Sequence, residues 1–131
     1  MSAAQRVSIA AFSFDSSKVT DALSTARGRD GKKPLCRLVQ DRGYYNGSQF
    51  MKNRGPRVAK LRALGVEFRM YTAKRLHQKT LLADNILYIG SGNFTDATLE
   101  NVERAAIITL DAAAAAEEQR AFDELWESSV V

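Results

Sequence analysis

The order of apolar segments constrains the fold of this chain more than any other feature. Residues 6–14 alternate apolar and small side chains and predict a strand. Apolar residues at helical spacing follow, namely Val19, Ala22, Leu23 and Ala26. The chain then predicts a short buried strand at 35–40, a helix opened by Pro56 and a strand at 66–71. This strand–helix–strand–helix–strand order favours right-handed crossovers between parallel strands.

The C-terminal half predicts a hairpin, a further strand and a closing helix. A two-residue turn joins predicted strands at 79–83 and 86–89, and residues 104–109 predict a further strand, which is expected to be buried. The final helix carries apolar residues that predict a core or a dimer interface: Phe122, Leu125 and Trp126. Because there is no internal repeat and no linker, we predict one α/β domain across residues 1–131. Its sheet is expected to be mixed but mostly parallel, with helices flanking it and an antiparallel hairpin inserted.

The net charge of +4 hides a strongly segregated distribution. Fifteen of the nineteen Lys and Arg residues lie between Arg27 and Lys79 with only three acids, so that segment carries +12 and the remainder −8. Such a field steers polyanions, and nucleic acid or anionic lipid is the natural partner. Solvated basic loops without a partner are the alternative interpretation.

Several classes of protein are disfavoured by the composition. No segment approaches the roughly 20 apolar residues of a membrane span, and no basic start followed by an apolar stretch predicts a secretory signal. The sequence therefore favours a cytoplasmic location. The single cysteine, Cys36, lies in an apolar run and predicts a small buried residue rather than a disulfide framework.

His77, the only histidine of the chain, begins the densest group of candidate functional residues. Lys79 follows at i+2, so both side chains point to one face if the backbone is extended. A neutral imidazole can attack phosphorus while an ammonium neutralises phosphoryl charge. Ser91 and Asn93 repeat the i, i+2 spacing and offer donors for non-bridging phosphate oxygens. Gly90 between the two pairs predicts a close approach of backbone to ligand.

This array resembles the HxKx4D…GSxN signature of the phospholipase D superfamily. The matching residues are His77, Lys79, Asp84, Gly90, Ser91 and Asn93. The order of elements is also similar to the small single-motif dimeric endonucleases of that superfamily, which implies a phospholipase D-like domain. Five residues separate Asp84 from Gly90, where six are usual in the family. The shorter turn predicts either a local adjustment or a shift of Ser91 and Asn93 relative to His77.

The resemblance implies specific roles for these residues. His77 would form a phosphohistidine intermediate, and Lys79, Ser91 and Asn93 would bind the phosphate. Asp84 belongs to the implied catalytic set, although its place at a turn favours a structural acceptor. Glu103 matches a glutamate of the nuclease branch, a carboxylate that would hold the His77 tautomer.

A second histidine must protonate the leaving oxygen, and one chain has a single motif. The resemblance therefore implies a homodimer with His77 of each copy facing the other across a two-fold axis. The presence of only one histidine in the chain likewise requires that a second copy supply the other one. No cofactor is predicted, and one histidine, one cysteine and no clustered carboxylates leave no plausible set of metal ligands.

Three functions are compatible with the sequence. A metal-independent nuclease acting on DNA or RNA is preferred. A phospholipase D or cardiolipin hydrolase is the second, and a non-catalytic nucleic-acid-binding module from a larger protein is the third. Basic and aromatic residues that could pair phosphates and stack bases are Arg42, Tyr44, Tyr45, Lys52 and Arg54. Alternatively, these residues pack within an ordinary loop or form the edge of a site that faces lipid.

Overall fold

The helices and strands follow the predicted order in the part of the chain that the computed structural model describes. Those residues are 5–11, 17–28, 34–41, 58–74, 76, 78–90 and 105–130. The strands are β1 (Arg6–Ala11), β2 (Leu35–Asp41), β3 (Glu67–Tyr71), β4 (Lys79–Ala83), β5 (Ile86–Gly90) and β6 (Ala105–Thr109). The helices are α1 (Ser17–Gly28), α2, whose described part is 58–63, and α3 (Ala112–Glu127).

The described strands form one mixed sheet in the order β3-β2-β1-β4-β5-β6. β1 pairs in parallel with β2, and β2 with β3, whereas β4 lies antiparallel to β1 and begins a run of antiparallel pairs through β6. The prediction of a mixed sheet is confirmed, but the prediction of mostly parallel pairing is wrong for the described pairs. The two parallel pairs are joined through the segments that contain α1 and α2, as parallel neighbours require a crossover, whereas the two-residue turn between β4 and β5 produces an antiparallel pair.

Both faces of the sheet are covered by helices. On one face, Ile9 and Leu38 pack with Phe68 against α1 and α2, which contribute Leu23 and Leu61. On the other face, α3 packs against the sheet through a second cluster: Ala10, Val39, Leu76, Phe122 and Trp126. The structure thus confirms Phe122 and Trp126 as core residues.

Two arginines enclose Trp126, which is 2% exposed. The guanidinium carbon of Arg69 lies 4.4 Å from the Trp126 ring centroid and that of Arg37 lies 4.9 Å away. Arg69 also donates a hydrogen bond to the Trp126 carbonyl at 2.8 Å, and Arg37 lies 3.6 Å from Glu67. Part of the basic excess of the segment 27–79 therefore serves packing.

Arg27 has a similar structural role on the opposite face. It donates from Nε to the Leu64 carbonyl at 2.8 Å and from Nη1 to the Pro34 carbonyl at 2.7 Å. Gly65, with φ of 91°, ends α2 directly beneath this guanidinium, and a Cβ there would collide with it. Arg27 thereby joins α1 to the end of α2 and to the start of β2.

Candidate active site

The sheet brings the flanks of all the predicted catalytic segments to one of its ends. Ala11 pairs with both Gln40 and Lys79, and Gly90 pairs with Ala105. The hairpin register, which pairs Thr80 with Ile89, continues to place Gly90 beside Lys79. Five adjacent strands thus form one row on the α1–α2 face: Gln40, Ala11, Lys79, Gly90 and Ala105. We call these five residues the site row.

Most of the predicted site residues lie outside the described residues. These are His77, Ser91, Asn93 and Glu103, together with the candidate nucleic-acid contacts Arg42, Tyr44, Tyr45, Lys52 and Arg54. Each segment is nevertheless adjacent in sequence to the site end of a strand. His77 precedes β4, Ser91 follows β5, Glu103 precedes β6 and Arg42 follows β2.

Lys79 is half-buried at the start of β4. Its neighbours in the site row are Ala11, which is buried in the core, and Gly90, which has no side chain. Strand alternation puts Lys79 on the same face as Leu81, which packs against the α1–α2 core. The ammonium group is therefore carried by a rigid central strand, which suits it to bind one phosphoryl group in a defined position.

Asp84 lies at the other end of β4. Its Oδ1 accepts hydrogen bonds from the backbone N–H groups of Arg6 at 2.9 Å and Gln5 at 3.2 Å, and its Oδ2 accepts from Gln5 at 3.0 Å. Its own N–H donates to the Arg6 carbonyl at 3.1 Å. At about 3.3 Å per strand residue, Asp84 is roughly 17 Å from Lys79. The Asp84 carboxylate thus acts as a backbone acceptor in this structure, and its membership of the catalytic set stays a prediction.

The turn that contains Asp84 is short and regular. Asp84 has φ of 53°, a conformation that Asp tolerates better than most residues, and Ala83 pairs directly with Ile86 across the two-residue connection. Pairing then continues without a bulge to Thr80 and Ile89. The shorter spacing therefore leaves this ladder intact and puts Gly90 opposite Lys79. The consequence for Ser91 and Asn93 stays a prediction.

Gly90 accommodates a tyrosine. A Cβ at this position would lie 2.5 Å from the Tyr88 Oη, 2.9 Å from its Cζ and 3.1 Å from its Cε1. From the sequence, Gly90 was predicted to allow a ligand to approach the backbone, and Tyr88 was not predicted to lie next to it. The available signal was the i, i+2 spacing, which puts Tyr88 and Gly90 on the same face of one strand.

A concave region lies on the α3 face of the sheet, opposite the face of the site row. It has a volume of about 470 Å³, and its lining includes Ser8, Tyr71, Gln78, Thr80 and Glu118. Gln78 and Thr80 alternate with Lys79 along the chain, so they point away from the site row. This groove is therefore separate from the face that carries Lys79.

Cys36 is not suited to act as a nucleophile at neutral pH. It is 1% exposed, and its Sγ lies 3.7 Å from the Pro34 carbonyl oxygen. Burial raises the pKa of this thiol from 9.0 to about 11, and the nearby Arg27 lowers it only in part. The prediction of a small buried residue is confirmed.

The family follows from the sequence match together with this architecture. The family model described as "Cardiolipin synthase, PLD-like domain" matches residues 1–126. The chain belongs to the phospholipase D superfamily. No sequence among curated proteins matches it at a significant level.

Several solved structures share this fold. Nuc, a phospholipase D family member from Salmonella typhimurium, superimposes with a TM-score of 0.83 at 23% identity, covering 98% of this chain and 82% of Nuc. NucT from Helicobacter pylori gives a TM-score of 0.75 at 18% identity, covering 98% of this chain and 83% of NucT. The archaeal chromatin protein TrmBL2 gives 0.63 at 17% identity, covering 96% of this chain and 46% of TrmBL2. At these identities the likeness establishes the phospholipase D-like fold.

The helices within the described ranges are all too short or too polar to cross a membrane.

Proposed function

We propose that this chain is a metal-independent phosphodiesterase, and specifically a nuclease that cleaves DNA or RNA through a phosphohistidine intermediate on His77. The site row carries the proposal, because Lys79, Gly90 and Ala105 lie side by side on three adjacent strands. Consecutive Cα atoms are about 3.8 Å apart. The proposal places four further residues near this row because they are one to three residues from it in sequence: His77, Ser91, Asn93 and Glu103.

The proposed reaction has two steps. His77 of one copy attacks phosphorus, a P–N bond forms, and the P–O bond to the leaving group breaks. His77 of the second copy donates a proton to the leaving oxygen. It then removes a proton from water, which attacks phosphorus and breaks the P–N bond. Lys79, Ser91 and Asn93 would hold the non-bridging oxygens throughout, and Glu103 would orient the imidazole.

The second copy is required because each chain has one histidine. Exposed isoleucines on β5 and β6 offer apolar surface that such a copy could cover: Ile86, Ile89, Ile107 and Ile108. Antiparallel pairing of β6 with its own symmetry mate would place the two site rows at opposite ends of a joined sheet. Pairing of β6 with β6 of the second copy is therefore incompatible with a shared site. The proposed dimer instead has the site ends of both sheets adjacent to the two-fold axis.

The charge distribution favours nucleic acid as the substrate. The candidate contacts that start at Arg42 follow Asp41, the residue after Gln40 of the site row, so a basic and aromatic segment leaves β2 at the site end. TrmBL2, which shares the fold, is described as a chromatin protein with a mode of DNA binding. The family description names cardiolipin synthase, which makes a phospholipid headgroup the second candidate substrate.

The test is a parallel assay of single-stranded DNA, single-stranded RNA and cardiolipin vesicles, each in excess EDTA. We expect cleavage of nucleic acid by the wild type and its loss in His77→Ala and Lys79→Ala. Lys60→Ala, which removes an exposed lysine of α2, is the matched control and should retain cleavage. Activity that disappears with EDTA would contradict the metal-free reaction. Hydrolysis of cardiolipin alone would transfer the proposal to the lipid substrate.

The dimer is tested by sedimentation velocity at the enzyme concentrations used for the assay. We expect a species of twice the 14.5 kDa chain mass. A strictly monomeric protein that still cleaves nucleic acid would refute the shared site.

A further inference from the structure

Tyr88 directs its hydroxyl toward the site end of the sheet. Its ring packs against the α1–α2 core, and it remains partly exposed. Because a Cβ on Gly90 would lie 2.5 Å from the Tyr88 Oη, and a C–C bond adds about 1.5 Å, the hydroxyl lies within roughly 4 Å of the Gly90 Cα. The core thus holds the ring while its polar end reaches the site row.

The phenol and the Lys79 ammonium share one face of two adjacent strands. Gly90 lies beside Lys79 in the β4–β5 register, and residues directly opposite each other in an antiparallel pair have Cα atoms about 4.5–5.5 Å apart. A lysine side chain is long enough to bridge that separation. The Tyr88 hydroxyl therefore lies within reach of a Lys79 side chain that extends across the strand pair.

Two donors at this spacing suit a phosphoryl group, whose non-bridging oxygens accept several hydrogen bonds at once. We propose that Tyr88 binds the substrate phosphate, with its hydroxyl donating a hydrogen bond to a non-bridging oxygen next to Lys79. This inference rests on the proposed function and adds a binding residue to it. It also gives Gly90 a physical purpose, because any side chain there would displace the phenol.

The first experiment removes only the hydroxyl. Tyr88→Phe keeps the ring in the core, so the far-UV circular dichroism should match the wild type. With bis(p-nitrophenyl) phosphate in EDTA, kcat/KM should fall about tenfold or more, as expected for loss of a hydrogen bond to a charged group. Tyr71→Phe is the control, because Tyr71 ends β3 and packs with the α3-face cluster. Equal kinetics for wild type, Tyr88→Phe and Tyr71→Phe would overturn the inference.

The second experiment tests the link to Gly90. Gly90→Ala adds a methyl group at the position where the end of the Tyr88 side chain lies. It should therefore reduce kcat/KM at least as much as Tyr88→Phe does. In the Gly90→Ala background, Tyr88→Phe should then have little further effect. Fully additive losses would show that Tyr88 and Gly90 act independently and would contradict the proposed placement of the hydroxyl.

Phosphate binding separates a failure of this inference from a failure of the proposed function. If the wild type does not hydrolyse any phosphodiester, the nuclease proposal falls, and inorganic phosphate binding by isothermal titration calorimetry then decides the role of Tyr88. Weaker binding by both Tyr88→Phe and Lys79→Ala than by wild type and Tyr71→Phe would support it. Equal binding by Tyr88→Phe and wild type, or no binding by either, would overturn it.

Discussion

Asp84 provides the sharpest test of how this sheet is held together. Its carboxylate accepts hydrogen bonds from the backbone N–H groups of Gln5 and Arg6 at 2.9–3.2 Å, and its φ is 53°. Asp84→Ala removes the hydrogen-bond acceptor for both N–H groups. It also places alanine in a left-handed backbone conformation, which alanine rarely adopts. Hydrogen bonds to a charged group contribute about 1.5–3 kcal/mol each when buried, and solvent exposure reduces this to about 1 kcal/mol or less each.

The backbone adds a separate contribution. Left-handed backbone costs a residue such as alanine about 1–2 kcal/mol, and Asp, Asn and Gly adopt it more readily. We therefore expect Asp84→Ala to lower the free energy of unfolding by about 2–3 kcal/mol in total. Asp84→Gly should lose less, because it relieves the backbone strain, and Asp84→Asn should lose least, because its amide oxygen can still accept one hydrogen bond.

Urea denaturation followed by circular dichroism at 25 °C measures these differences through the midpoint and slope of each transition. An Asp84→Ala variant as stable as the wild type, or an Asp84→Gly variant less stable than Asp84→Ala, would refute the reasoning. Cleavage by folded Asp84→Asn should be close to the wild-type rate, because Asp84 is roughly 17 Å from Lys79 along β4. Loss of cleavage without loss of stability would support a catalytic role for Asp84.

Three further predictions concern stability. Trp126→Ala should lower the free energy of unfolding by about 3–5 kcal/mol in urea titrations, because it opens a cavity and removes the ring that two arginines contact; a loss below about 1 kcal/mol would contradict that core role. Glu67→Gln should cost less than about 1 kcal/mol, since its 3.6 Å pair with Arg37 is partly exposed to solvent; a larger loss in the same titrations would show a stronger ion pair. Burial raises the pKa of Cys36 from 9.0 to about 11, so the folded state keeps a proton that the unfolded thiol has lost. Stability should therefore fall between pH 9 and about 11 in the wild type relative to Cys36→Ala, and parallel pH profiles would refute this.

Local patterns in the sequence predicted much of the fold and the composition of the candidate site. Alternation predicted β1, short apolar segments predicted β2 and β3, and the Asp84-Asn85 pair predicted the hairpin turn, because these features depend on neighbours within a few residues. The i, i+2 spacing of His77 and Lys79, together with the family signature that includes Gly90, predicted one phosphate site. The mostly parallel pairing was wrong because strand direction next to β1 depends on where β4 docks, which is a long-range choice.

Tertiary structure alone decided which residues share a face and what they contact. The pairing of Ala11 with Lys79 joins positions 68 residues apart, and no local pattern encodes it. Tyr88 lies over Gly90 because the core holds its ring and the missing Cβ leaves space for its hydroxyl. Arg27, Arg37 and Arg69 count equally in the basic charge of the sequence, yet folding brings them against carbonyls and an aromatic ring. Sequence thus determined the chemistry available, and packing determined which groups remain near the site.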